Sequence, residues 1–247
     1  MVTDKELAVF ARSVVDAAMA TDFKIDPLIG PSLSQAWGAV QSVICRHGLA
    51  IQQVIAAHLD ADERFEVLRD HPTPLTAASV ELVRSATDRD VLRFVTLPDD
   101  GPIDHVTRFD LLVVHLERGW VGVFDVKRGL GATASHKRKS ISKDLLAARL
   151  TLPAYARTLG YAQARVATSA VIDHFGRAGF EADLTMDRKD LDRLFEGRIS
   201  KRIDAMTMAL GEALHAALPG LFQDAKRAGE VIELFGARPP TKRGPSR

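Results

Sequence analysis

The stretch Arg108-Phe-Asp-Leu-Leu-Val-Val-His-Leu-Glu-Arg-Gly-Trp-Val-Gly-Val-Phe-Asp-Val-Lys-Arg128 constrains the fold more than any other. Val, Leu, Phe and Trp give it strand propensity, and Glu117-Arg118-Gly119 supplies a tight polar break, so it reads as a hairpin. Both strands are almost continuously apolar, which predicts burial of both faces. The charged interruptions therefore stand out: Asp110 near the start of the first strand, Asp125 and Lys127 near the end of the second. Side chains alternate with a period of two, so Asp125 and Lys127 share a face. A two-residue loop at Arg118-Gly119 sets Asp110 opposite Lys127 on that face. One at Glu117-Arg118 also keeps the three together, whereas a three-residue loop without a bulge sends Asp110 to the other side.

Two carboxylates and an ammonium at the end of an apolar hairpin are costly to desolvate unless they are paired or hold a cation. Oxygen ligands from two acids suit Mg²⁺, which keeps several of its waters, and Mn²⁺ is the natural substitute. Lys127 could then orient a water or stabilise developing phosphate charge.

An acid at the start of one strand, followed by Asp125-Val-Lys127 at the end of the next, resembles the PD-(D/E)XK nuclease superfamily. Arg108 and Phe109 stand where the nominal motif has its proline. The resemblance implies a restriction-endonuclease-like α/β core, a mixed β-sheet flanked by helices, here with extra N-terminal and C-terminal helices. It implies metal-dependent hydrolysis of DNA phosphodiester bonds, with Asp110, Asp125 and Lys127 catalytic and Asp110 and Asp125 holding the metal. The helix before the first strand often carries a glutamate in this family. Gln52 occupies a similar place here, and its amide oxygen can reach a cation or its water without contributing charge. That substitution gives weight to an alternative reading, a catalytically inactive nuclease-fold protein that binds nucleic acid or a protein partner.

The most suggestive charge feature follows the hairpin. From Lys127 to Arg149 there are seven Lys or Arg against one acid, Asp144, in a chain whose net charge is +1. Local clustering of this kind beside a metal site is what a phosphate backbone selects, so Lys137, Arg138, Lys139 and Lys143 are expected to contact DNA. The glycines of Gly129-Leu-Gly-Ala-Thr-Ala before them predict a mobile flap.

At 247 residues the chain is long enough for one α/β domain with an appendage. The single cysteine, Cys45, excludes an internal disulfide and a cysteine-based zinc cluster, and is expected to pack as a small hydrophobe. No apolar run or leader pattern points to a membrane, so the expectation is a cytoplasmic protein. The predicted organisation is a helical arm and linker over 1–31, a nuclease domain over 32–236 and a basic, Pro-rich disordered tail over 237–247.

Helical spacing predicts helices over 3–20 and 34–59, the second with Trp37, Val40, Ile44, Ile51 and Ile55 on its apolar side and a bend or close contact at Gly48. Residues 64–68 read as a short strand ended by Pro72 and Pro74, Thr76 caps a short helix, and 91–97 reads as a strand. Asp99, Asp100 and Asp104 are turn formers that could also reach a metal. Ser140 or Ser142 starts a helix to about 159, bent or split at Pro153. Residues 164–173 form a strand parallel to the hairpin's second strand, as a long crossover requires. An edge strand at 180–184, a helix from Asp187 or Asp190, an amphipathic helix over 199–218 and a short strand at 230–235 complete the reading. The Met206 and Met208 stripe is core or a homodimer face.

Overall fold

A computed structural model describes residues 3–227. The predicted strand at 230–235 and the tail at 237–247 lie outside the described residues. The chain divides into two compact units, one of residues 48–205 and one built from 4–47 and the segment that starts at Met206. The divisions fall within two long helices, at 47/48 and 205/206, not at the break expected near residue 31.

The larger unit is built on a five-stranded mixed sheet in the order β1-β2-β3-β4-β5. The strands are β1 (Phe65–Thr76), β2 (Ile103–His115), β3 (Trp120–Lys127), β4 (Val166–Asp173) and β5 (Thr185–Met186). β1, β2 and β3 pair antiparallel, while β4 runs parallel to β3, and β5 parallel to β4. The helix α4 (Ser135–Thr158) makes the expected crossover between β3 and β4. Its Leu145, Ala148, Leu152 and Ala156 pack on Leu112, Val114, Val121, Val123 and Val171 of the sheet. Elsewhere in this unit Phe65, His115, Trp120, Phe124 and Phe195 form a cluster of ring contacts, with centroids 4.8–6.1 Å apart. His115 is thus a core side chain, as its place on an apolar strand implied. The sheet is sequestered on both sides of its middle strands, which is why the hairpin sequence is apolar at nearly every position.

Several predicted elements are corrected. β1 continues through Pro72 and Pro74, because β1 is an edge strand and two prolines two residues apart both direct their missing N–H away from β2. Residues 91–97 are not a strand: Val91–Phe94 is a 3-10 helix, followed by extended chain held through Leu97 N–H to Leu150 O at 2.7 Å. α4 begins at Ser135, so the basic run lies in its first turns and not in a loop, and it passes Pro153 unbroken. The expected strand at 180–184 is a 3-10 turn, Ala182–Leu184, leading into the two-residue β5. Thr76 does cap α3 (Ala77–Ser85), accepting from Ser79 N–H, and Asp187 caps α5 (Arg188–Leu194).

In the second unit, α1 (Asp4–Met19) and portions of α2 (Gly30–Asp60) and α6 (Ile199–Arg227) share a core of Ala11, Val15, Ala18, Val43 and Leu210. Two expectations fail here: Trp37 is 62% exposed and Cys45 is exposed. The Met stripe divides, with Met206 in the core and Met208 exposed. The small residues Ala36, Ala39 and Val43 take the buried side of α2 instead, rotating its apolar stripe away from Trp37 and Cys45. A side chain at Gly48 would meet nothing within 4 Å, so no close contact requires the glycine.

Candidate functional site

The hairpin register decides the geometry. β2 and β3 pair from His115↔Trp120 to Leu111↔Phe124, with Leu116–Gly119 as the connecting loop. Gly119 has φ +63° and donates its N–H to His115 O at 2.9 Å, closing the turn. Of the two registers the sequence allowed, this is the one that sets Asp110 level with Asp125. Recorded pairing stops one residue short of these two. Where it ends, the Asp110 carboxylate takes over: its Oδ2 accepts the main-chain N–H of Val126 at 2.6 Å.

The neighbouring strand is irregular at the same level. Asp70 of β1 has φ +48°, and no pairing is recorded between Asp70 and Asp110, although Arg69↔Leu111 and His71↔Phe109 pair on either side. Phe109 and Leu112, three residues apart, both belong to the cluster under α4. Strict alternation would put them on opposite faces, so the period of two breaks between them. Asp110 sits in that break.

On β3, Asp125 and Lys127 continue the alternation of Val121 and Val123. Lys127 Nζ donates to Asp125 Oδ1 at 2.5 Å, with the two side chains 30% and 14% exposed. Asp125 and Lys127 both lie close enough to Asp110 to act on it electrostatically. Asp110, Asp125 and Lys127 therefore converge. Burial, and then the like charge of Asp125, push the Asp110 carboxyl up to about 7, against the pull of the Val126 N–H and the Lys127 ammonium. Gln52 joins them from α2. It is buried, and its Nε2 donates to the main-chain oxygen of Asp110 at 2.8 Å.

Two half-buried carboxylates beside one ammonium leave an excess negative charge that a divalent cation would offset. The donor set is hard oxygen, which fits Mg²⁺ or Mn²⁺. Asp110 and Asp125 would supply the protein ligands. Among the described residues no group of three or more His, Cys, Asp or Glu side chains is arranged to hold a metal, so waters and uncharged oxygens would complete the sphere. Asp104 is turned to His105, whose Nδ1 lies 2.7 Å from its Oδ2, with Asp144 on the other ring nitrogen at 3.4 Å.

The basic run is divided by the fold. Lys137, Lys139 and Lys143 are exposed on the first turns of α4. Arg138 is half-buried, and its Nη1 donates to Thr133 O at 2.6 Å, which ties down the loop before the helix. That loop is not built as a free flap. Gly129 O accepts from Arg177 N–H at 3.0 Å, and Thr133 N–H donates to Ala178 O at 2.9 Å. Asp173, 2% exposed, accepts from Gly176 and Ala178 N–H at 2.9 and 2.8 Å. Asp173 lies in register with Lys127. Asp173 is not among the expected site residues; its signal in the sequence is a polar residue that ends an apolar strand and precedes the turn-forming His174-Phe-Gly-Arg-Ala-Gly179. No helix among the described residues is long and apolar enough to cross a membrane. Comparison with family models, with curated proteins and with solved structures returns no match to this chain.

Proposed function

We propose that this chain is a metal-dependent endonuclease that hydrolyses DNA phosphodiester bonds on a restriction-endonuclease-like core. The observation that carries the reading is the half-buried Asp110 carboxylate, set beside Asp125 and its Lys127 partner where the pairing of two apolar strands ends. A structural ion pair would need one acid; the second acid raises the cost of the site unless a cation offsets it. The order of helix, strand, hairpin, crossover helix and parallel strand is consistent with the same core.

In this reading Asp110 and Asp125 hold Mg²⁺, with Gln52 bracing the Asp110 main chain. The ion supplies a more acidic water and a Lewis acid for the phosphoryl oxygen. Lys127, which pairs with Asp125, would orient the attacking water. The water oxygen bonds to phosphorus as the bond from phosphorus to the sugar oxygen breaks; the water gives up a proton to solvent and the departing oxygen takes one from solvent. Lys137, Lys139 and Lys143 contact the strand's phosphates. Incubation of duplex, branched and single-stranded DNA with Mg²⁺ or Mn²⁺ tests the reading: the wild-type chain cuts one class, and Lys127→Ala loses most of that activity. Equal rates for the two proteins contradict it.

A second reading is supported by Gln52, whose neutral amide serves as a brace where the resembled family often has an acid. A non-cleaving relative would bind nucleic acid or a protein partner without binding a divalent ion at Asp110 and Asp125.

A further inference from the structure

Resting on the nuclease reading, we infer that Arg177, in the loop after β4, is a phosphate contact of the same DNA-binding surface, taking the place that the inward-turned Arg138 does not fill. Parallel strands joined by a crossover helix gather ligand-binding groups at their carboxyl ends. Here the carboxyl ends of β3 and β4 are Lys127 and Asp173, which lie in register. The loops that follow them are laced together through Arg177 N–H to Gly129 O and Thr133 N–H to Ala178 O. His174 N–H also reaches Lys127 O at 3.4 Å. The buried Asp173 carboxylate anchors the second loop by accepting two of its N–H groups.

The consequence is that residue 177 is fixed by its backbone beside the segment linking Lys127 to the basic first turns of α4. Its side chain remains exposed, with no ion pair to any described residue. Other arginines of this unit differ: Arg138 is spent on Thr133, Arg188 on Asp204, and Arg89 on Glu181. An arginine whose main chain is already held, on a loop paired with the segment that leads into α4, has only its side chain to order on meeting a phosphate. Because the backbone makes the structural bond, replacing the side chain leaves the loop pairing intact.

The test is the affinity of the full-length chain for fluorescently labelled duplex DNA in EDTA, measured between 50 and 200 mM salt. Loss of one phosphate contact makes the slope of log affinity against log salt shallower by about 0.9. Over that range wild-type affinity then falls about 3.5-fold more than that of Arg177→Ala. Arg177→Lys retains the wild-type slope. An Arg177→Ala slope parallel to wild type overturns the assignment, whether or not the affinity changes, and leaves the nuclease reading standing if the variant still cuts. A wild-type chain that neither binds nor cuts DNA overturns both.

Discussion

The carboxylate of Asp110 accepts the main-chain N–H of Val126 at 2.6 Å, so a side chain of β2 fills a place that strand pairing leaves open on β3. That N–H favours the ionised carboxylate, but burial and then the like charge of Asp125 outweigh it and push the Asp110 carboxyl up to about 7. The contact that organises the strands thus offsets only part of the electrostatic cost that burial and Asp125 impose at the site.

The cost gives a pH signature. A carboxyl whose folded pKa lies above its unfolded value stabilises the fold when protonated. That contribution is full below the ordinary carboxylate range near 3.8 and is lost as pH rises through about 7. Relative to Asp110→Asn, the metal-free wild-type chain is therefore expected to lose thermal stability between pH 5 and pH 8. Melting temperatures of the two proteins across that window check this; parallel curves contradict it.

Mg²⁺-dependent cutting and DNA contact should separate. Asp125→Asn removes a ligand charge and the Lys127 partner while leaving the exposed lysines of α4 in place. Cleavage is expected to vanish with DNA affinity within about threefold of wild type, a shift smaller than 1.4 kcal/mol. Gel-based cleavage and binding assays on one preparation read both.

Gln52 should matter to stability whatever the chemistry. Gln52→Ala removes the donor to Asp110 O and leaves a buried acceptor, at a cost of about 1–3 kcal/mol. Chemical denaturation measures the change directly, and an unchanged midpoint would show that the amide is not a brace.

Gly129 tests the laced loops. It has φ +72°, and a Cβ there would lie 1.7 Å from Asp173 Oδ1. Gly129→Ala is expected to cost more than the roughly 1–2 kcal/mol of a left-handed backbone alone, because Asp173 must also move. A loss below 1 kcal/mol in denaturation would mean the loops are not held as described.

The hairpin was legible because its apolar continuity and its three charges are local facts, and the period of two relates Asp125 to Lys127 without further information. Register was not: two loop choices fitted the sequence, and the four-residue turn Leu116–Gly119 was settled by tertiary pairing. Pro72 and Pro74 misled because a proline ends a strand only where its missing N–H faces a partner, and edge position is a property of the whole sheet. The basic run was visible, but its distribution between solvent and Thr133 depends on which side of α4 meets the loop after Asp173. Asp173 itself acts through N–H groups supplied by its own turn, a role that residue type alone does not distinguish from a solvated aspartate.

Calorimetric titration of Mn²⁺ into wild type, Asp110→Asn and Asp125→Asn at pH 8 tests the central claim most directly. The account predicts one bound ion per wild-type chain and loss of that binding in both variants. Wild-type binding that persists unchanged in Asp125→Asn, or no binding by the wild-type chain, would contradict it.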